Sequence, residues 1–187
     1  MSQRVGVCAI QGDFEKHIHS LKALGVHAKE VRTLDHLAEV DRLIIPGGES
    51  TTVGLLMERY GMGRAIQDRA AAGMPIWGTC MGMILLAKEV EDRDQYRLGL
   101  MDITVRRNAF GAQVHSFEDS VTVQGLDQPV LGVFIRAPIV IKAWGKCEVI
   151  AHYDGKIVGV RQGKLLGTSF HPEMTDDTRM HHWFLSL

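Results

Sequence analysis

The chain has 187 residues, 45% of them hydrophobic, and a formal net charge of -1 at pH 7. That length suits one domain with a full core, and the near-neutral balance gives no electrostatic reason to expect nucleic acid or an anionic membrane as partner. No apolar run approaches the length of a membrane span, and the opening Met1-Ser2-Gln3-Arg4 carries no signal-peptide pattern.

Cys8, Cys80 and Cys147 are few and widely spaced, which argues against a disulfide framework and for a reducing cytoplasm. Val5–Ile10 reads as a first buried strand, and Gln11-Gly12-Asp13 turns the chain, with Asp13 as N-cap. Phe14, Ile18, Leu21 and Leu24 recur at helical spacing up to Gly25. Val26–Val31 reads as a second strand and Arg42–Ile45 as a third, ending in Pro46-Gly47-Gly48. Ser50 or Thr51 then caps a helix carrying Val53, Leu55, Leu56 and Met57. A further helix over roughly 63–72 leads to a short strand, Met74–Trp77. After it, Met81–Glu89 reads as helix.

Between that strand and that helix lies Gly78-Thr79-Cys80-Met81-Gly82, a cysteine at a strand-to-helix turn with glycine two positions either side. This is the pattern of a nucleophile elbow with Cys in place of Ser. The turn is so sharp that positions minus two and plus two crowd each other, and glycine removes the crowding. The helix N-terminus favours a thiolate, the form that attacks carbonyls. A buried structural cysteine is the plain alternative.

Strands alternating with helices up to this point imply right-handed crossovers and a mostly parallel sheet. From about residue 100 the texture changes to short strand-like runs: Ile103–Val105, Val121–Val123 and Val133–Ile135. Asp154-Gly155 marks a hairpin between 149–153 and 156–160. Leu165–Phe170 returns as a strand, and Asp176 or Asp177 starts a last helix. The sum is a three-layer α/β domain, residues 1–187, with a small antiparallel addition.

Thiol chemistry needs a base, and His171-Pro172-Glu173 follows the last strand. If proline holds this segment extended, side chains two apart share a side, and Glu173 reaches His171 to fix its tautomer. A capped strand end with an exposed Glu is the alternative. Gly47-Gly48 can turn backbone N–H groups toward an oxyanion, or simply make a tight turn. A phosphate cradle fits worse, because neither the Lys-Ser/Thr of a P-loop nor the dinucleotide spacing is present. Arg107 and Arg136 end strands and could fork onto a carboxylate. His17 with His19, and His181 with His182, lack metal-ligand spacing and read as surface groups, so no metal is expected.

Together, Gly78–Gly82 and Ser169–Glu173 resemble the class I (triad) glutamine amidotransferases. Pro46–Thr52, Arg107–Gly111 and Val133–Pro138 narrow the resemblance to the glutaminase subunit of pyridoxal 5′-phosphate synthase, the PdxT/SNO family, over essentially the whole chain. The resemblance implies a flavodoxin-like fold and hydrolysis of L-glutamine to glutamate and ammonia, without a cofactor. It implies Cys80 as nucleophile, His171 as general base and acid, and Glu173 as orienting carboxylate. Gly47 and Met81 would serve the oxyanion, and Gly48, Glu49, Ser50, Arg107, Ile135 and Arg136 would bind glutamine. Ammonia would pass to a synthase subunit in a twelve-plus-twelve assembly. Ala112, His115 and Met81 depart from the family's frequent residues. The competing readings are a partner-independent hydrolase of the same fold and a non-catalytic regulatory module.

Overall fold

A computed structural model describes residues 3–91, 93–111 and 116–187, so Ala112, Gln113 and His115 lie outside the described residues. The first half runs β1 (Arg4–Cys8), α1 (Phe14–Ala23), β2 (His27–Val31), α2 (Leu34–Ala38), β3 (Arg42–Ile45), α3 (Ser50–Arg59), α4 (Met62–Ala71), β4 (Ile76–Thr79) and α5 (Met81–Leu86). The second half runs β5 (Ala87–Val90), β6 (Met101–Arg106), β7 (Ser116–Val121), β8 (Val130–Ile135), β9 (Ile139–Ala143), β10 (Glu148–Tyr153), β11 (Lys156–Gln162), β12 (Leu165–Thr168) and α6 (Arg179–Leu185). A single 3-10 turn, Pro172–Met174, precedes α6.

The strands lie in the order β2-β1-β3-β4-β12-β11-β9-β6-β5, with β10 on β11 and β7-β8 as a separate hairpin. From β2 to β12 every pairing is parallel. This is the 2-1-3-4-5 order of flavodoxin-like sheets, whose fifth strand comes from the far end of the chain. Beyond β12 the pairings are antiparallel until β5, which runs parallel to β6.

Each central strand sends alternate side chains to opposite faces, as a pleated strand must. Ile76 and Leu43 enter one core with Leu37, Val53, Met57 and Ile66 of the helices on that side. Trp77 and Ile44 enter the other with Leu21 of α1, Phe184 of α6 and Phe134 of β8. Apolar residues at both parities explain why these strands read as continuous hydrophobic runs rather than alternating ones. No helix among the described residues is long and apolar enough to cross a membrane.

Several boundaries differ from the sequence reading. The helix after Cys80 stops at Leu86, because Ala87, Glu89 and Val90 pair with β6 instead of continuing the coil. The five residues of α2 carry too short a period to read, and the helix is set by the Thr33 hydroxyl accepting from His36 N–H. Neither Ser50 nor Thr51 caps α3. The Glu49 carboxylate does, accepting from the N–H groups of Thr51 and Thr52 at 3.1 and 2.8 Å. Asp13 stands at the N-cap of α1 but makes no side-chain capping bond. Neither Asp176 nor Asp177 starts α6: Thr178 stands at its N-cap without a side-chain capping bond, and Asp177 sits one residue further out, its carboxylate accepting from Arg179 N–H at 3.0 Å. The hairpin at Asp154-Gly155 is as read, with both residues at positive φ (47° and 69°) as a primed turn requires.

Candidate active site

In a 2-1-3-4-5 sheet the strand order reverses between β1 and β3, and ligands bind beyond the carboxyl ends of the strands there. A cavity of about 310 Å³ opens at that place. Its floor is built by the loop after β1 (Gly12, Asp13), the loop after β3 (Gly47 to Ser50) and the elbow after β4 (Cys80, Met81). Arg107, Asn108, Ile135, Arg136 and His171 complete the wall.

Cys80 sits at φ 51°, ψ -106°, outside the comfortable regions for a residue with a side chain. The surroundings force this. A Cβ on Gly78 would lie 2.4 Å from the Gly82 carbonyl carbon, and one on Gly82 would lie 2.0 Å from the Ile45 carbonyl oxygen. Only glycine at both places lets α5 fold back on β4 while resting on β3. The turn is pinned by Cys80 N–H donating to the Thr168 carbonyl at 2.7 Å. The thiol is 8% exposed and donates to the Ile135 carbonyl at 3.8 Å.

His171 enters from the end of β12, its N–H bonded to the Val133 carbonyl at 2.8 Å. Its Nδ1 lies 2.7 Å from Glu173 Oε1. The sequence argument anticipated this pair for the wrong reason. Pro172–Met174 is a 3-10 turn, not extended chain, and it is the curl of that turn that brings Glu173 back onto the ring. Glu173 is buried behind His171 and does not line the cavity.

The charges follow from this packing. Burial opposes ionising Glu173, but His17 and His171 outweigh it and bring the carboxyl down to about 2. Burial also opposes charging His171, yet the Cys80 sulfur and the Glu173 carboxylate push the imidazole up to about 10. The site therefore supports an imidazolium beside Glu173. With the thiol turned to Ile135, His171 Nε2 has no hydrogen-bond partner among the described residues.

Arg107 reaches the cavity on a tether. Its guanidinium donates to Glu49 Oε1 at 3.2 Å and to Gln95 Oε1 at 3.3 Å. Burial would raise the Glu49 carboxyl, but the Thr52 and Thr51 bonds bring it down to about 2, so it stays ionised as the anchor. The buried Ser50 hydroxyl donates to the same Gln95 oxygen at 3.4 Å. Arg136 at φ 45° follows Ile135 at the rim.

All the residues singled out from the sequence converge here: Cys80, Gly47, Gly48, Glu49, Ser50, Met81, Arg107, Ile135, Arg136 and His171 line the cavity, with Glu173 behind. Gly12, Asp13, Ile84 and Gln95 were missed. The Gln11-Gly12-Asp13 turn carried a signal, since it follows the first strand of the sheet at its switch point. Gln95 lies in a stretch without periodicity and gave none. The surface reading of the histidines fails for His17 and His181, which are fully buried. The described residues hold no cluster of metal ligands.

The SNO glutamine amidotransferase family model matches residues 7–187. The chain belongs to the SNO glutamine amidotransferase family. A pyridoxal 5′-phosphate synthase subunit PdxT from Herpetosiphon aurantiacus is 55% identical, covering 98% of this chain and 99% of the relative. The PdxT subunit of Geobacillus sp. (strain WCH70) is 48% identical, with 98% and 96% covered. A crystal structure described as a glutamine amidotransferase superposes with a TM-score of 0.93 at 49% identity, over 97% of each chain. Within this family a cysteine elbow facing a histidine–carboxylate pair is the feature to explain.

Proposed function

We propose that the chain is the glutaminase subunit of a pyridoxal 5′-phosphate synthase, acting in the cytoplasm. It hydrolyses L-glutamine and delivers ammonia to a synthase partner in a twelve-plus-twelve assembly. The observation that carries this reading is the convergence of Cys80, on its strained elbow, with the 2.7 Å His171–Glu173 pair at one cavity.

The chemistry follows from the groups present. His171 takes the Cys80 proton, and the thiolate attacks the γ-carboxamide carbon. Negative charge moves to the amide oxygen, which the N–H groups of the Gly47–Gly48 loop and Met81 can meet. The intermediate collapses with breakage of the C–N bond, and His171 returns its proton to the leaving nitrogen, which departs as ammonia. Water, deprotonated by His171, then attacks the γ-glutamyl thioester, releasing glutamate and the thiol. Glu173 holds the tautomer and stabilises the imidazolium at each charged stage. Arg107, held by Glu49 and Gln95, takes the α-carboxylate of glutamine as a charge-assisted bond.

The isolated chain is the idle form of the enzyme on this reading. The Gly47-Gly48 pair has the backbone freedom to present either a carbonyl or an N–H to the cavity. A partner that binds only the productive orientation shifts the population toward it. The test is glutamine hydrolysis by the purified chain with and without saturating synthase subunit, with Cys80→Ala as control. Activation of 10²-fold or more, abolished by Cys80→Ala, is expected. Equal rates with and without the partner would point instead to the self-sufficient hydrolase, and equal rates for Cys80→Ala would overturn the glutaminase reading.

A further inference from the structure

Behind the proposed triad lies a second buried polar group that the hydrolysis above does not use. His17 on α1 and His181 on α6 are fully buried. Both rings pack edge-on to Trp77 of β4, with centroids 5.7 and 5.1 Å from the indole. His17 Nδ1 lies 2.9 Å from His181 Nε2. At its other edge, His17 Nε2 lies 3.3 Å from the Thr79 hydroxyl and 3.3 Å from Glu173 Oε2. The ring is turned so that Thr79 has hydrogen-bond geometry. Glu173 Oε2 has no hydrogen-bond partner among the described residues, and its contact with His17 is electrostatic.

The protons on this pair can be placed. Burial lowers the pKa of His17 against the pull of Glu173, and takes His181 down to about 3. Both rings are therefore neutral near pH 7, and a neutral imidazole has one N–H. In one arrangement His181 Nε2–H donates to His17 Nδ1, and His17 Nε2–H faces Thr79 and Glu173 Oε2. This leaves one lone pair unfilled, on His181 Nδ1, an atom that has no partner among the described residues. In the other, His17 Nδ1–H donates to His181. The His17 Nε2 lone pair then accepts from the Thr79 hydroxyl but also confronts an ionised carboxylate 3.3 Å away, and His181 Nδ1–H becomes a buried donor with no acceptor among the described residues. Two penalties against one decide for the first arrangement.

We propose that His17 is a positioning residue for the reaction: its Nε2–H, fixed by His181 and 3.3 Å from Glu173 Oε2, attracts that oxygen electrostatically so that Oε1 stays on His171 Nδ1. The proposal rests on the triad reading above, because its effect passes through Glu173 and His171. Of the two carboxylate oxygens, Oε1 bonds His171, whereas Oε2 has no hydrogen-bond partner among the described residues. Without His17, rotation of the carboxylate is opposed by the bond to His171 that it must itself orient and by the Glu173 backbone N–H.

The test is steady-state glutamine hydrolysis by the chain assembled with its synthase partner. His17→Leu should lower kcat by about 10- to 100-fold, the scale of a misplacement near 1 Å, with KM for glutamine within about twofold. Gln places its amide near where Nε2 stood, and Asn near where Nδ1 stood. His17→Gln should therefore recover most of kcat and His17→Asn little of it. If His17→Leu does not fold, that polar pair carries the test alone. In a Glu173→Gln background, His17→Leu should cost less than about twofold further, since coupled groups are not additive. Wild-type kcat in His17→Leu, equal activity of the Gln and Asn variants, or losses that multiply in the Glu173→Gln background would each overturn the role of His17. Cys80→Ala run alongside separates the two ideas: activity there would sink the triad reading itself.

Discussion

Gly47→Ala adds one methyl group at a place where the histidine leaves no room for it. A Cβ built on Gly47 lies 2.5 Å from His171 Cε1, 3.3 Å from Nδ1 and 3.5 Å from Nε2. The first of these is roughly 1 Å short of ordinary contact, which for carbon is about 3.5–4.0 Å. The ring cannot retreat freely. Glu173 Oε1 holds Nδ1 at 2.7 Å, and the Val133 carbonyl holds the His171 backbone at 2.8 Å. Moving the imidazole by about 1 Å takes it off the carboxylate or off the sulfur, and misplacement on that scale costs about 10²-fold. The substitution keeps every backbone N–H, so a loss cannot be charged to a missing oxyanion donor. Overpacking costs about 1–3 kcal/mol, and for a domain this size each kcal/mol lowers Tm by about 2–4 °C. Gly73→Ala is the matched control: φ there is 91° and nothing lies within 4 Å of the added methyl, so it strains the backbone without touching the site. Hydrolysis by the assembled enzyme and thermal unfolding of both variants separate the effects. Gly47→Ala should lose kcat, and Gly73→Ala should lose only stability. Wild-type kcat/KM in Gly47→Ala would refute the geometry argued for His171.

Glu173→Gln should lower kcat by roughly 10- to 10³-fold, less than Cys80→Ala, because a thiol ionises more readily than the serine hydroxyl of triads that lose about 10⁴; matched kcat measurements check the ranking, and equal losses contradict it. Arg107→Ala should raise KM for glutamine about tenfold or more, since a charge-assisted bond contributes about 1.5–3 kcal/mol; a titration of rate against glutamine decides, and an unchanged KM removes Arg107 from the α-carboxylate. The fold should be acid-labile early. His181 is held near pKa 3 against 6.5 when free, so the unfolded chain binds more protons between those values and stability falls as pH drops through that window. Glu173, held near 2 against 4.5, adds to the loss lower down. Urea unfolding at pH 7 and pH 5 should differ by about 2 kcal/mol from His181 alone, and an undiminished difference in His181→Leu would contradict this cause.

Much of the site was legible because its residues announce themselves locally. Gly78 and Gly82 flank Cys80 for a steric reason that the structure bears out atom by atom. Gly47-Gly48 and His171 follow runs that read as strands, and the parallel sheet places those strand ends together. What could not be read depended on distant partners. Met81–Leu86 and Ala87–Val90 follow one another with no helix-stop residue between them, and only pairing with β6 decides where helix gives way to strand. Ile139–Ala143, outside the runs read as strands, is one because β6 and β11 pair with it. His17 and His181 were judged by spacing within their own helices, whereas each has its neighbour 164 residues away. Glu49 looked like a cavity residue alone, but it also caps α3 and tethers Arg107.

The central claim is that Cys80 is the nucleophile that glutamine meets. It is tested most directly by treating the chain, assembled with its synthase partner, with an electrophilic glutamine analogue and reading intact mass and peptide map. Cys8 is fully buried, and burial pushes its thiol up to about 11; burial also raises Cys147 to about 11. A single adduct on the peptide containing Cys80, suppressed by excess L-glutamine and absent in Cys80→Ala, is the expected result. Labelling that spreads to Cys8 or Cys147, or that glutamine does not suppress, would contradict it.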